Sequence, residues 1–104
     1  MARINDFHTA WAETFKALSA PERLHIVEIV SASPCTPSEL AEQIGTNPIN
    51  VFHHLGILCK ARILVKKKSG RFVYYSLSPT VRHDSDKTGT TLRIPECGLR
   101  VSFD

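Results

Sequence analysis

Polar and cationic side chains are concentrated in two neighbouring parts of the chain. The first part contains Asn50 and His53. An Asn amide can pair bidentately with the edge of adenine, and a His ring can donate to a base or a phosphate. The second part contains four closely spaced cations: Lys66, Lys67, Lys68 and Arg71. Such cations bind phosphates regardless of base sequence, so the two parts would suit a nucleic acid if the fold placed them on one surface.

The polar part lies on a predicted helix that begins at Asn47. Asn is a favoured N-cap residue, and Pro48 fits the first helical position, where its missing N–H group costs no hydrogen bond. Apolar side chains then recur at spacings of four and three residues and form one buried stripe: Val51, Leu55 and Leu58. The opposite face is polar and basic, with Asn50, His53 and Lys60.

A shorter helix is predicted directly before it, over residues 37–44. Thr36 and Glu39 have the spacing of a capping box, in which a hydroxyl and a carboxylate each bind a backbone N–H group. Gly45 ends this helix, because glycine adopts the left-handed cap conformation at little cost. Two helices joined by so short a turn predict a helix-turn-helix.

The cationic part lies on a predicted β-hairpin. Its arms, residues 63–68 and 71–77, are rich in β-branched and aromatic residues, and Ser69-Gly70 supplies the tight turn. The hairpin is a wing beside the helix-turn-helix. Mutual repulsion of the cations at its tip is costly unless an anionic partner or solvent screens them.

A first helix is predicted from an apolar stripe at spacings of three and four residues: Ile4, Phe7, Trp11, Phe15 and Leu18. The stripe either covers the core of its own domain or forms a subunit interface, and its spacing does not decide between them. A second helix, over residues 21–32, reads as scaffold. The predicted fold class is therefore mostly α with a β-wing, a winged helix-turn-helix of four helices and a β-hairpin.

The character of the sequence changes after Leu77. Residues 78–89 are polar and rich in turn formers, which predicts a linker. Residues 90–94 and 99–103 each alternate apolar with polar, which predicts two short strands or one kinked strand. We therefore divide the chain into a winged helix-turn-helix unit, residues 1–77, and an atypical C-terminal β tail, residues 78–104.

Between Phe15 and Leu77 the chain resembles the ArsR-type (ArsR/SmtB) winged helix-turn-helix repressors. The resemblance rests on ALSAPERL at 17–24, SELA at 38–41, VFHHL at 51–55, Leu58 and GRFVYYSL at 70–77. It implies a homodimeric transcriptional repressor that binds double-stranded operator DNA at an inverted repeat. It does not cover the tail, because that family usually ends in a further helix.

The resemblance and the helix-turn-helix pattern together nominate the DNA-binding residues. The N-terminal part of a recognition helix reads base edges, which nominates Asn47, Pro48, Ile49, Asn50, Phe52 and His53. Lys60 and the wing cations Lys66, Lys67, Lys68 and Arg71 would contact phosphates. His54 lies nearer the buried stripe, where it is either a packed, hydrogen-bonded histidine or a further contact. Related repressors more often have small hydroxyl residues in place of Ile49 and Phe52, which affects the expected base preference.

The resemblance also places the first helix in the subunit interface. A lone hairpin is only marginally stable in water, so we expect the tail to lie beside that helix and take part in the dimer, either as a cover or by pairing across subunits. The predicted interface residues are Ile4, Phe7, Trp11, Phe15, Leu92, Ile94, Leu99 and Val101.

No metal or other cofactor is predicted. Many of the repressors that the chain resembles bind metal through paired cysteines at the start of the third helix, but Thr36 and Ser38 occupy those positions here. Cys35 alone does not make a tetrahedral site. A cluster of His83, Asp84 and Asp86 reads as polar linker rather than as a metal site.

The three cysteines, Cys35, Cys59 and Cys97, are an odd number at wide spacing, and the N-terminal residues have no signal-peptide pattern. We therefore expect a reduced, cytoplasmic protein that does not enter the membrane. Cys59 reads as a packing residue, and Cys97 is the thiol most expected to be exposed. No thiol pair is predicted, and the effector is not indicated.

No nucleophile, phosphate loop or other catalytic pattern is present, so the sequence does not predict an enzyme. Its 104 residues, 42% of them hydrophobic, suffice for one modest core. The net charge of +3 is small, so DNA binding is indicated by the clustering of cations at the wing rather than by the total charge. The alternative is a winged-helix module that binds protein without specific DNA binding.

Overall fold

The computed structural model describes residues 3–4, 6–86, 89–94 and 99–103. The helices are α1 (Asp6–Ala17), α2 (Pro21–Ala32), α3 (Pro37–Ile44) and α4 (Pro48–Lys60). The strands are β1 (Leu64–Ser69), β2 (Phe72–Leu77), β3 (Arg82–Asp86), β4 (Gly89–Ile94) and β5 (Leu99–Phe103). Four helices followed by an antiparallel hairpin confirm the predicted winged helix-turn-helix.

Local hydrogen bonds set the boundaries of α3 and α4. The backbone N–H of Glu39 donates to Thr36 Oγ1 at 3.2 Å, and the N–H of Thr36 donates to Glu39 Oε1 at 3.0 Å. Gly45 has a left-handed φ of 82°, and its N–H donates to the Ala41 carbonyl at 2.9 Å. These contacts confirm the predicted capping box and helix end. No described helix is long and apolar enough to cross a membrane.

The wing turns one residue later than predicted. Ser69 pairs with Phe72, so the two residues of the turn are Gly70 and Arg71. Gly70 has a φ of 62°, and the first central position of such a hairpin turn favours glycine for that reason. Arg71 is therefore at the tip itself. Cys35 is bound to the wing by its backbone, donating to and accepting from Tyr75 at 3.0 and 2.8 Å.

The core lies between α2, the helix-turn-helix and the base of the wing. The predicted stripe of α4, Val51, Leu55 and Leu58, is fully buried in it. The other large, fully buried side chains of this core include Ile26, Leu40, Ile63 and Leu64. Because one face of α4 is committed to this core, its other face must be exposed.

The tail is a three-stranded antiparallel sheet in the order β3–β4–β5. The prediction of a linker over residues 78–89 is therefore wrong for Arg82–Asp86, which form β3. That segment has no apolar alternation, and it is extended because it pairs with β4 along its length. Three exposed arginines, Arg82, Arg93 and Arg100, stand directly opposite one another across the sheet.

The structure reassigns two tail residues. Leu92 and Ile94 are 1% and 4% exposed and belong to the protomer's hydrophobic core, so they are not free to contact a partner as predicted. Val101 is half-buried. The structure does not describe the side chains of Phe7 and Leu99, and Cys97 lies outside the described residues.

Three side chains of the predicted stripe do not face the core, whereas Leu18 is half-buried and packs against it. Among the described side chains of α1, Thr14 and Ala17 are buried, whereas Trp11 and Phe15 are 43% and 52% exposed and Ile4, just before the helix, is 85% exposed. The core side of α1 is thus rotated away from these three side chains. The tail of the same protomer leaves these three side chains exposed, and its part in a dimer stays a prediction.

Candidate nucleic-acid interface

The N-terminal half of α4 presents a continuous exposed surface. All six residues predicted to read bases are exposed: Asn47, Pro48, Ile49, Asn50, Phe52 and His53. Lys60 is exposed at the other end of the same helix. The burial of Val51 and Leu55 between these positions explains this arrangement, since it fixes the rotation of the helix about its axis.

Asn50 is held in place by two neighbours. Its backbone N–H donates to Asn47 Oδ1 at 2.9 Å, which caps α4, and its side-chain Nδ2 donates to Thr46 Oγ1 at 3.0 Å. The second bond uses one of the two amide N–H groups. The side chain therefore retains the donor and acceptor needed for bidentate pairing with adenine, with its orientation already restricted.

His54 is packed and hydrogen-bonded, in agreement with the first of the two alternatives. Its Nδ1 lies 3.0 Å from Nη1 of Arg23. Because arginine has only donors, Nδ1 accepts this bond and the neutral ring carries its proton on Nε2. Burial, followed by the nearby Arg23 charge, lowers the pKa of His54. The neutral form is the one that fits this contact.

Arg23 is a buried residue that the sequence analysis treated only as scaffold. Its Nε donates to the Ala17 carbonyl at 2.7 Å and its Nη2 donates to the Lys16 carbonyl at 3.1 Å. A cation is favourable at these carbonyls, which end α1. The only signal available in the sequence was an arginine set among apolar residues of α2. The guanidinium connects α1, α2 and α4.

The wing places its cations on two faces. Side chains alternate along β1, so Lys66 and Lys68 share one face and Lys67 lies on the other. Lys66, Lys68 and Arg71 line a cleft that separates the wing from α4, together with Phe52 of the helix. The structure thus brings three of the four wing cations beside the recognition helix.

The cleft also has an apolar lining. It has a volume of about 650 Å³ and is bounded by Pro37, Pro48, Phe52 and Phe72. Phe52 and Phe72 are 55% and 53% exposed. The guanidinium carbon of Arg71 lies 5.9 Å from the centre of the Phe72 ring, within reach of a cation–π contact.

Thr36, which stands where many of the repressors that the chain resembles have a metal-binding cysteine, and the two described cysteines have structural roles. The Thr36 hydroxyl accepts the capping hydrogen bond from Glu39. Cys35 is buried, its Sγ donates to the Ser33 carbonyl at 3.3 Å, and burial raises the pKa of its thiol. Burial likewise raises the pKa of the Cys59 thiol. Neither thiol has the lowered pKa that is typical of a reactive cysteine.

Comparison with known proteins agrees with this arrangement. The family model described as "Bacterial regulatory protein, arsR family" matches residues 20–66. The chain is 37% identical over 71 residues to the transcriptional repressor SdpR of Bacillus subtilis (strain 168), covering 68% of this chain and 79% of the relative.

Two solved structures have the same fold. Rv0081 of Mycobacterium tuberculosis superposes with a TM-score of 0.65 at 26% identity, covering 72% of this chain and 76% of that one. A homodimeric winged helix-turn-helix DNA-binding fragment, Mb0332 of Mycobacterium bovis, superposes with a TM-score of 0.67 at 22% identity, covering 75% and 76%. With the matched helix-turn-helix and the identity to SdpR, these findings show that the chain belongs to the arsR family of bacterial regulatory proteins, which are DNA-binding transcription regulators rather than enzymes.

Proposed function

We propose that this protein is a transcriptional repressor that binds an operator through α4 and the β1–β2 wing. The observation that carries the proposal is the exposed N-terminal half of α4 facing a wing whose cations Lys66, Lys68 and Arg71 turn towards it. A recognition helix in the major groove would place Asn50 at base edges, while the wing contacts the phosphates alongside. Such a repressor would act in the cytoplasm.

Contacts divide into two classes under this proposal. Asn47, Pro48, Ile49, Asn50, Phe52 and His53 would face the bases, and the apolar side chains Ile49 and Phe52 fit thymine methyl groups. Lys60, Lys66, Lys67, Lys68 and Arg71 would bind phosphates and supply affinity without base selectivity. Lys67 would reach a different phosphate from Lys66 and Lys68, since it lies on the other face of β1.

We further propose that the repressor is a homodimer that recognises an inverted repeat. The exposed side chains Trp11 and Phe15 on α1 and Ile4 just before it would form an apolar surface that a second copy buries. The Mb0332 fragment of the same fold is described as homodimeric. Two recognition helices must lie about 34 Å apart to enter successive major grooves on one side of DNA.

A mobility-shift experiment tests the proposal. DNA from upstream of the protein's own gene should be retarded at low salt, and an unlabelled specific fragment should compete better than random DNA. Asn50→Ala should reduce that difference, because it removes a base contact. A protein that shifts no fragment at low salt would contradict the proposal and favour the alternative, a winged-helix module that binds protein.

A further inference from the structure

The cleft between α4 and the wing has a size suited to a small molecule. Its volume of about 650 Å³ falls within the roughly 300–1,000 Å³ typical of ligand pockets. It is bounded on one side by the first turns of α3 and α4, through Pro37 and Pro48, and on the other by the wing. Both sides are regular elements with defined caps or pairing, so the cleft is already formed in the free protomer.

Two aromatic side chains that line this cleft are only partly buried. Phe52 comes from α4 and Phe72 comes from β2, and each leaves more than half of its surface exposed. Exposed apolar area is unfavourable in water. DNA phosphates do not use it, although a thymine methyl group could cover part of Phe52.

The positive charge of the cleft indicates that a ligand would also carry an anionic group. Lys66, Lys68 and Arg71 line it, and none of the described residues that line it carries a carboxylate. An apolar interior with cations at its margin is complementary to a molecule that has an apolar body and one anionic group.

We propose that this cleft binds a small anionic amphiphile, a carboxylate or sulfonate carried on an apolar chain or ring. The apolar body lies between Phe52 and Phe72, and the anionic group pairs with Lys66, Lys68 or Arg71. The same cations and Phe52 face DNA in the proposed function, so the bound molecule excludes the operator. The exclusion of the operator rests on the proposed function, whereas the ligand site itself does not.

Fluorescence of 8-anilinonaphthalene-1-sulfonate, an anionic amphiphile, tests the site on the full chain. The double variant Phe52→Ala/Phe72→Ala should bind the probe about tenfold or more weakly. Val65→Ala is the control, since Val65 is an apolar side chain with 38% exposure on β1 and does not line the cleft. Lys66→Gln/Lys68→Gln should also weaken binding. Loss of binding in Val65→Ala, or unchanged binding in the double variant, would overturn the proposal.

Displacement of the probe tests whether the cleft recognises the anionic group of a ligand or only its apolar part. Octanoate should displace the probe at concentrations about tenfold lower than 1-octanol, because only octanoate can pair with the cations. Equal displacement by the two would contradict the assigned ligand class. Circular dichroism of each variant checks that its helices are intact before these comparisons are made.

A competition experiment tests the regulatory half. Octanoate should release operator DNA from the wild-type protein and from Val65→Ala at the concentrations that displace the probe. Displacement of the probe without release of DNA would show that exclusion is wrong while the ligand site holds. A protein that binds the probe in the cleft but no DNA at all would contradict the proposed function and leave the ligand assignment supported.

Discussion

Nη1 of Arg23 donates to Nδ1 of His54 at 3.0 Å and thereby joins the second helix to the recognition helix. The same guanidinium binds the last carbonyls of α1, which carries the exposed apolar surface proposed for dimerisation. One buried side chain therefore relates the proposed subunit interface to the helix proposed to read DNA. The spacing of two recognition helices in a dimer would depend on this contact.

Removing the Arg23 guanidinium should destabilise the protein. Arg23→Met keeps an apolar stem but removes the guanidinium donors to the Ala17 carbonyl and to Nδ1 of His54. The Lys16 carbonyl also loses its bond from Arg23 but keeps those from Ser19. We expect the free energy of unfolding in urea to fall by about 2–3 kcal/mol, the typical cost of losing charged hydrogen bonds at a buried site. His25→Ala, an exposed change on the same helix, is the control and should have little effect. Equal stability of the two variants would contradict the role assigned to Arg23.

The stability of the protein should decrease as pH falls below about 6.5, the ordinary pKa of histidine. The pKa of His54 is lowered in the folded state, first by burial and then by Arg23. In that range the unfolded chain takes up a proton that the folded protein resists, so protons favour unfolding. His54→Gln should flatten this dependence in urea unfolding at pH 7.5 and 5.5. His53→Gln, an exposed change one residue away, should retain it; if it flattened the dependence equally, His54 would not be the group responsible.

Wing and helix variants should differ in the kind of effect they have on DNA. Lys67→Ala and Lys68→Ala should weaken binding to all sequences about equally, and each should reduce the slope of log affinity against log salt by about 1. Asn50→Ala should leave that slope unchanged and reduce base discrimination by about 1–3 kcal/mol. Anisotropy titrations with operator and scrambled duplexes at several salt concentrations measure both. A change of specificity in Lys67→Ala would show that the wing does more than bind phosphate.

Dimerisation should be visible through Trp11, the only tryptophan in the chain. Its side chain is 43% exposed in the protomer, so burial by a partner should shift its emission to shorter wavelength as concentration rises. Phe15→Glu should abolish the shift and give a monomer in sedimentation, because a carboxylate would be buried in an apolar interface. Phe72→Ala, on the wing, should dimerise normally. A wild-type protein that sediments as a monomer at all concentrations would contradict the proposed interface.

Relieving the arginine row in the tail should stabilise the sheet. Arg93 lies opposite both Arg82 and Arg100, and like charges placed directly across strands are unfavourable. Arg93→Thr should raise the free energy of unfolding by about 0.2–1 kcal/mol. The gain should shrink as salt is added, because screening weakens the repulsion in the wild type. A loss of stability at low salt would mean that Arg93 has a favourable partner.

The sequence by itself determined the helix-turn-helix and the wing. Their boundaries depend on contacts within a few residues: the Thr36–Glu39 capping box, the Asn47 cap and Gly45. The buried face of α4 could equally be predicted from the sequence, because burying Val51, Leu55 and Leu58 together allows only one rotation of the helix about its axis. Once that rotation is set, the exposed positions that would face DNA follow.

Only the tertiary structure decided features that join distant segments. Residues of β3 have no apolar pattern of their own and become a strand through pairing with β4. The rotation of α1 depends on how Thr14 and Ala17 meet the core, so the spacing of its aromatics could not show which side is buried. The Arg23–His54 contact spans 31 residues. A hydrogen bond between side chains so far apart in sequence exists only after packing has brought their helices together, and no local pattern encodes it.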